Sequence, residues 1–299
     1  MKKALLIMTL FVVALTMLAG CSSNKEGAPK KFVIAYLPGE NSDTAIKLNK
    51  DFETKLSEKL GIRVESYKAT SYNAAIEAMK NGKADYALFG PFSYIVAVDR
   101  ANVEPVAEIS IPAMANQPAS VILVKKDSPI QTLAELKGKT FGFVDPVSTT
   151  GHLLPKSILA DELGLTPEEL EKGFFKDVQF AGGHDKAVLG LLRGQYDAIG
   201  TSAMMPAMLE VKGIIEKDSY RIIGQSQALP GTAIGIRKDL PEDFKASVKE
   251  FLLSYDNPEY LEGIVGSKDA KFIEAKDSDF DGLRDIAKKL NLSPDDLLK

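Results

Sequence analysis

The chain has no tryptophan, one cysteine and two histidines among 299 residues. A single cysteine excludes a disulfide framework and any zinc site built on several thiolates. Two histidines leave little room for a His-rich metal cluster or a metalloprotease helix, so neither a metal nor a cofactor is expected. A surplus of positive charge is also lacking: 37 Lys and Arg stand against 41 Asp and Glu, a formal net charge of −4. A nucleic-acid binder needs clustered basic residues to neutralise phosphates, so that class is set aside. The sequence carries no G-x-S-x-G elbow, no Walker A loop and no G-x-G-x-x-G, and nothing marks it as an enzyme. Apolar residues make up 45% of the chain, enough for one large domain or two lobes of about 100–150 residues each.

The one long uncharged apolar run, Ala4 to Leu18, spans 15 residues, short of the roughly 20 that cross a membrane. Met1-Lys2-Lys3 precedes it and Leu18-Ala19-Gly20-Cys21 closes it, which reads as an export signal over residues 1–20. The ending resembles a bacterial lipobox, in which Cys21 takes lipid on its thiol and becomes the new N-terminus. An ordinary signal peptide is the alternative. Residues 21–30 (CSSNKEGAPK) are polar, with no apolar period, and read as a flexible tether. The body is expected outside the cytoplasm, held at a membrane surface by a lipid anchor.

From Lys31 onward, short apolar strands alternate with amphipathic helices, the pattern of parallel α/β units. Strands are expected at Phe32–Tyr36, Arg63–Tyr67, Tyr86–Phe89, Val103–Ile109 and Ser120–Val124, with helices at Thr44–Leu60 and Asn73–Asn81. A second series follows Pro129, with strands at Thr140–Val144, Val178–Phe180 and Ala198–Gly200 and a helix at Lys186–Arg193. Strands at Arg221–Gly224 and Ala233–Arg237 come next, and the chain after about Pro241 reads as mostly helical. The economical division is one lobe of 31–122 plus 226–299 and a second of 123–225, with the two connections between them as a hinge.

Chemistry concentrates where strands give way to helices. Asp145-Pro146-Val147-Ser148-Thr149-Thr150-Gly151 offers three hydroxyls and free backbone N–H groups at a helix start, a combination suited to an oxyanion. A plain N-cap is the other reading. Phe180-Ala181-Gly182-Gly183-His184-Asp185 places a histidine beside two glycines, where it is either a capped surface residue or an N–H donor to an anion. Phe89-Gly90-Pro91-Phe92-Ser93-Tyr94 and Ser71-Tyr72-Asn73 are further junctions, their aromatics either core or ligand contacts. His152 reads as a helix-surface residue. In open α/β sheets such junctions converge at the carboxyl ends of strands, where ligands bind.

DPVSTTG at 145–151, AGGHD at 181–185 and SYNAAI at 71–76 together resemble the phosphonate-binding family of solute-binding lipoproteins and periplasmic proteins. The resemblance implies an α/β, two-lobed periplasmic-binding-protein-like fold of type II, with the ligand in the cleft between lobes. It implies a monomer that captures a small oxyanion (phosphite, phosphate or a short alkylphosphonate) and docks on an ABC permease. Carried over by position, Ser148, Thr149 and Thr150 are the oxyanion cradle and His184 its partner. Tyr72 reaches the ligand on closure, and Tyr94 is a neighbouring contact. Met204 and Thr232 stand where relatives that take aminoalkylphosphonates carry acids, so an amine-bearing ligand is not expected. Alternative functions are a binding protein for another small anion or heterocycle, a ligand-sensing subunit, and a secreted phosphate-ester hydrolase.

Overall fold

The computed structural model describes residues 29–38, 43–229, 231–292 and 294. The expected signal peptide 1–20, Cys21, the tether as far as residue 28 and Pro230 lie outside the described residues. Among the described residues no helix is long and apolar enough to cross a membrane.

The chain opens with β1 (Lys31–Tyr36), α1 (Asp43–Leu60), β2 (Arg63–Lys68), α2 (Tyr72–Lys80), β3 (Tyr86–Phe89), α3 (Pro91–Ala101) and β4 (Val103–Ser110). A second run holds β5 (Ser120–Lys125), β6 (Thr140–Phe143), α4 (Leu154–Leu163), β7 (Asp177–Phe180), α5 (His184–Leu192), β8 (Ala198–Ser202), α6 (Met204–Val211) and β9 (Tyr220–Gln225). The chain ends with β10 (Thr232–Arg237), α7 (Glu242–Ser254), α8 (Pro258–Val265), β11 (Lys271–Ile273) and α9 (Asp281–Lys289). Two sheets result, a six-stranded one ordered β11-β4-β10-β3-β1-β2 and a five-stranded one ordered β7-β6-β8-β5-β9.

The sheets are mixed, where strand–helix alternation alone suggested parallel units. β1 runs parallel to β2 and β3, and β6 parallel to β7 and β8. β10 is antiparallel to β3 and β4, and β5 is antiparallel to β8 and β9. The reason is the route of the chain. The parallel strands deliver their carboxyl ends to the space between the sheets, whereas β5 and β10 begin there, just after the chain has crossed. The crossings are residues 111–119 and 226–231. A boundary after residue 122 therefore falls inside β5, all of whose residues belong to the second sheet. β11, a three-residue edge strand on β4, lies in the stretch read as mostly helical.

The cores explain why these segments hold. Phe52 and Leu56 lie one turn apart on α1 and are fully buried, with Phe52 stacked on Tyr260 of α8 at 4.8 Å and 9°. In α3 the run Pro91–Ala97 is buried throughout, so this helix is core on nearly every face. Tyr94 packs at 4.8 Å from Phe280 and its hydroxyl donates to Asp277 at 2.8 Å. Tyr94 is thus an interior residue of the first lobe and leaves the set of candidate ligand contacts. A helix turns about 100° per residue, and it is the preceding Ser93 that reaches the cleft.

Tyr94→Phe keeps the ring contact and removes the hydroxyl from Asp277. Denaturant unfolding is expected to show a loss of about 1 kcal/mol, the net worth of one hydrogen bond. Tyr94→Ala is expected to cost about 3–5 kcal/mol through the cavity it leaves.

Candidate functional site

Four strand-to-helix junctions meet in a cavity of about 850 Å³ between the sheets. From the first lobe come Tyr72 at the start of α2 and Gly90, Pro91 and Ser93 at the start of α3; from the second come Ser148 to Thr150 and His184. Of the six residues expected to touch the ligand, five line this one cavity, and Tyr94 does not.

Each junction is built by local chemistry. Ser71 caps α2, its Oγ accepting from Ala74 N at 3.1 Å, and this sets Tyr72 as the first helical residue. Gly90 permits the closest approach of the lobes: a Cβ there would fall 2.6 Å from Thr149 Oγ1. Residues 149–153 form a π-type turn rather than an α-helical one, in keeping with Pro155, whose missing N–H cannot bond back to Gly151. Gly151 is required by space, because a Cβ would meet Val144 Cγ2 at 2.3 Å. Gly182 adopts φ +76° and turns the chain toward His184.

The hydroxyls are not idle. Ser148 Oγ accepts from Gly151 N at 3.1 Å and is an N-cap; Thr149 Oγ1 accepts from Phe92 N of the other lobe at 2.9 Å. Among the described residues Thr150 has no side-chain partner and lies half-buried on the cavity wall. An accepting hydroxyl still carries a hydrogen to donate, so all three can serve an anion.

The two histidines separate. His152 is buried, edge-on to Phe143 and Phe180, with Nδ1 donating to the Pro146 carbonyl at 2.7 Å. The π-turn rotates it inward, which corrects the surface reading, and it pins the loop rather than lining the cavity. At His184, Nδ1 accepts from Ser202 N at 3.2 Å, with Thr201 Oγ1 3.0 Å away. The proton therefore sits on Nε2. Burial pushes its pKa down to about 4, against the opposing charge of Asp185. At neutral pH it is an uncharged N–H donor.

Cationic side chains are nearly absent. Among the described residues Lys212, which is exposed, is the one Lys or Arg on the wall. Carboxylates, by contrast, are present. Glu108 on β4 is 7% exposed and accepts from Gly231 N at 2.7 Å. Asp185 also lines the cavity, and among the described residues its buried Oδ1 has no hydrogen-bond partner. Met204 and Thr232 do line the cavity, and although neither is an acid, the fold brings a carboxylate from elsewhere in the chain close to Thr232. Glu108 sits one register step from Thr232, on the neighbouring strand. Its signal in the sequence was a lone acid inside the apolar run Val106-Ala107-Glu108-Ile109.

A family model described as "ABC transporter, phosphonate, periplasmic substrate-binding protein" matches residues 34–280. The phosphate-import protein PhnD of Mycolicibacterium smegmatis is 29% identical over 282 residues, covering 89% of this chain and 87% of the relative. The phosphonates-binding periplasmic protein of Escherichia coli is 29% identical over 208 residues, covering 68% of this chain and 60% of that protein. Among solved structures, PhnD1 of Prochlorococcus marinus in complex with methylphosphonate superposes with a TM-score of 0.76 at 21% identity, over 89% of this chain and 100% of that one.

Burial raises the pKa of Glu108, the Gly231 N–H opposing and Asp279 adding to the rise. Folding therefore disfavours its ionised form. Wild-type stability should fall as pH climbs from the ordinary carboxylate value through the raised one. Glu108→Gln keeps the acceptor for Gly231 and removes the charge. Unfolding at pH 8 and pH 4 should find this variant more stable than wild type at the higher pH, with the gap closing at the lower.

Proposed function

Because the chain belongs to the family of periplasmic substrate-binding proteins of phosphonate ABC transporters, we propose that it captures a small phosphorus oxyanion by closure of its two lobes. Phosphite, phosphate and short alkylphosphonates are the ligands in view. A mechanism of capture follows from the geometry. The anion enters the cleft and exchanges water for neutral donors: the hydroxyls of Ser148, Thr149 and Thr150, Nε2–H of His184, the tyrosine of α2, and backbone N–H groups at helix starts. Helix N-termini favour negative charge, so an oxyanion is held without a buried cation. Closure adds the contact of Tyr72 from the opposite lobe, while Ser93 Oγ donates to the Val147 carbonyl across the seam. The closed form then docks on a membrane permease. Residues 111–119 and 226–231 serve as the hinge, the body works as a monomer, and Cys21 carries the lipid that keeps it near the membrane.

The observation that carries this reading is the meeting of four helix starts and a neutral His184 on one cavity. The presence of Glu108 and Asp185 favours phosphorus over sulfur: a phosphorus oxyanion can keep a proton to donate to a carboxylate, whereas sulfate cannot and is repelled. The same two acids reopen the cavity to amine-bearing ligands, which Met204 and Thr232 alone argued against.

Calorimetry of the purified chain with phosphite, phosphate, methylphosphonate, 2-aminoethylphosphonate and sulfate tests the reading. One-to-one binding of a phosphorus ligand at least about tenfold tighter than sulfate, a gap of roughly 1.4 kcal/mol, is expected. Equal or tighter binding of sulfate refutes it. Thr150→Ala removes a hydroxyl that has no other partner among the described residues. A hydrogen bond to a charged ligand is worth roughly 1.5–3 kcal/mol, so affinity should drop about 10- to 100-fold with unfolding unchanged.

A further inference from the structure

The cavity is much larger than the anion assigned to it. It measures about 850 Å³, within the range of roughly 300–1,000 Å³ that holds drug-sized molecules. At roughly 30 Å³ per water, an inorganic phosphorus oxyanion displaces only a few waters of that space. The remainder is not polar. Four of the chain's eight methionines, Met114, Met204, Met205 and Met208, lie on the wall. Leu229 and Ile264 join them there, and all six are half-buried, with Met205, Leu229 and Ile264 resting on the cores at the edge of the cavity.

These residues come from separate parts of the fold. Met204, Met205 and Met208 stand on α6 of the second lobe, Ile264 on α8 of the first, and Met114 and Leu229 in the two crossings. Across the cleft, α6 meets the end of α8 at Gly266. A Cβ on Gly266 would lie 2.9 Å from Met208 Sδ and 3.0 Å from Met204 Cε. Gly266 is a left-handed cap with φ +76°, so the absence of a side chain there serves both the turn and the seating of the two methionines. Closure thus brings an apolar rim together beside the polar junctions. An apolar wall that stays half-exposed gains by burying an apolar group. Methionine, unbranched and polarizable, fits its shape to groups of different outline.

We propose that the cavity has a second, apolar pole formed by α6 and the end of α8, and that its ligand is a phosphorus oxyanion bearing an apolar organic substituent of several carbons. The inference rests on the oxyanion reading above and adds the organic part of the ligand. The oxyanion is seated by the helix starts, and the substituent, joined through carbon or through an ester oxygen, lies along Met204 and Met208.

The test is a chain-length series. Calorimetry of the purified protein is run with methyl-, propyl- and hexylphosphonate, with phenylphosphonate, and with phenyl phosphate for the ester linkage. Each fully buried methylene is worth about 0.8 kcal/mol, or roughly fourfold in affinity, so a two- to fourfold gain per added carbon is expected over this series. Affinity that is flat or falls from methyl to hexyl, with phenyl no better, overturns the proposal while leaving the oxyanion reading standing. If no member binds, the proposal falls, and binding of phosphate or phosphite in the same calorimeter decides whether the oxyanion reading stands. Met204→Ser combined with Met208→Ser should reduce hexylphosphonate affinity at least tenfold more than methylphosphonate affinity. Thr150→Ala, acting at the other pole, should lower the whole series by one common factor and leave its slope. A slope that survives the methionine changes counts against α6 as the apolar pole.

Discussion

The backbone N–H of Phe92 has no partner inside its own helix, and Thr149 Oγ1 supplies one from the other lobe at 2.9 Å. The first N–H groups of any helix are orphans that need an acceptor, and here the first lobe finds acceptors in the second. Tyr72 N donates to Asp145 at 3.4 Å in the same way, and Ser93 Oγ donates to the Val147 carbonyl at 2.8 Å. Everything at the site depends on this seam. It fixes the loop 145–149 against α2 and α3, and it needs Gly90, where any side chain would occupy the position of the Thr149 hydroxyl. Each such bond is worth about 1 kcal/mol net, because water replaces it when the lobes part. A seam of a few bonds therefore biases closure by a few kcal/mol at most, a range within which a bound ligand can shift the population.

Charge is managed by dipoles rather than by ions. Among the described residues no buried Lys or Arg stands on the cavity wall, and the donors there are helix N-termini, hydroxyls and a histidine held neutral by burial. Such donors are arranged before the ligand arrives and need no counter-charge of their own. They also leave the carboxyls of Glu108 and Asp145 without a cation, and burial raises the pKa of both. Asp145 is offset by the N–H groups of Val147 and Tyr72, Glu108 by that of Gly231. Of the two, Glu108 lines the cavity, where a carboxyl favours a proton-bearing group over an oxyanion that has none.

Much of the site was legible in the sequence because strand-to-helix junctions are local. DPVSTTG, AGGHD, FGPFSY and SYNAAI each announce a junction through glycine, proline and capping residues a few positions apart, and the fold brings them together by delivering strand ends to one place. What depends on distant partners was not legible. Tyr94 closes the junction motif FGPFSY, yet its hydroxyl is claimed by Asp277, 183 positions away. His152 follows the hydroxyl triplet as if on an exposed helix face, but the π-turn moves it onto Phe143 and Phe180. Glu108 faces the cavity because β4 pairs with β10 after a long excursion through the second sheet, and no local pattern reports that pairing. The antiparallel entry of β5 and β10 escaped for the same reason, since strand direction is set by where the chain has just been.

The hydroxyl triplet shows why a capping role and a binding role need not compete. From the sequence, Ser148 offers either a cap or a ligand contact. In the fold its Oγ accepts from Gly151 N, which is the cap. An oxygen that accepts one N–H keeps its own hydrogen, and the geometry of the acceptance fixes where that hydrogen can point. Thr149 repeats the arrangement with Phe92 N of the other lobe as the partner. Accepting a bond therefore holds each side chain in one rotamer and prepares the O–H as a donor, which lowers the entropy that an anion's capture must overcome. Thr150, without such a partner among the described residues, keeps its rotational freedom. Of the three hydroxyls in the proposed cradle, two are held in place and one is free to adapt, and the held pair exists in full only when the lobes are together, because one of its two anchors belongs to the opposite lobe.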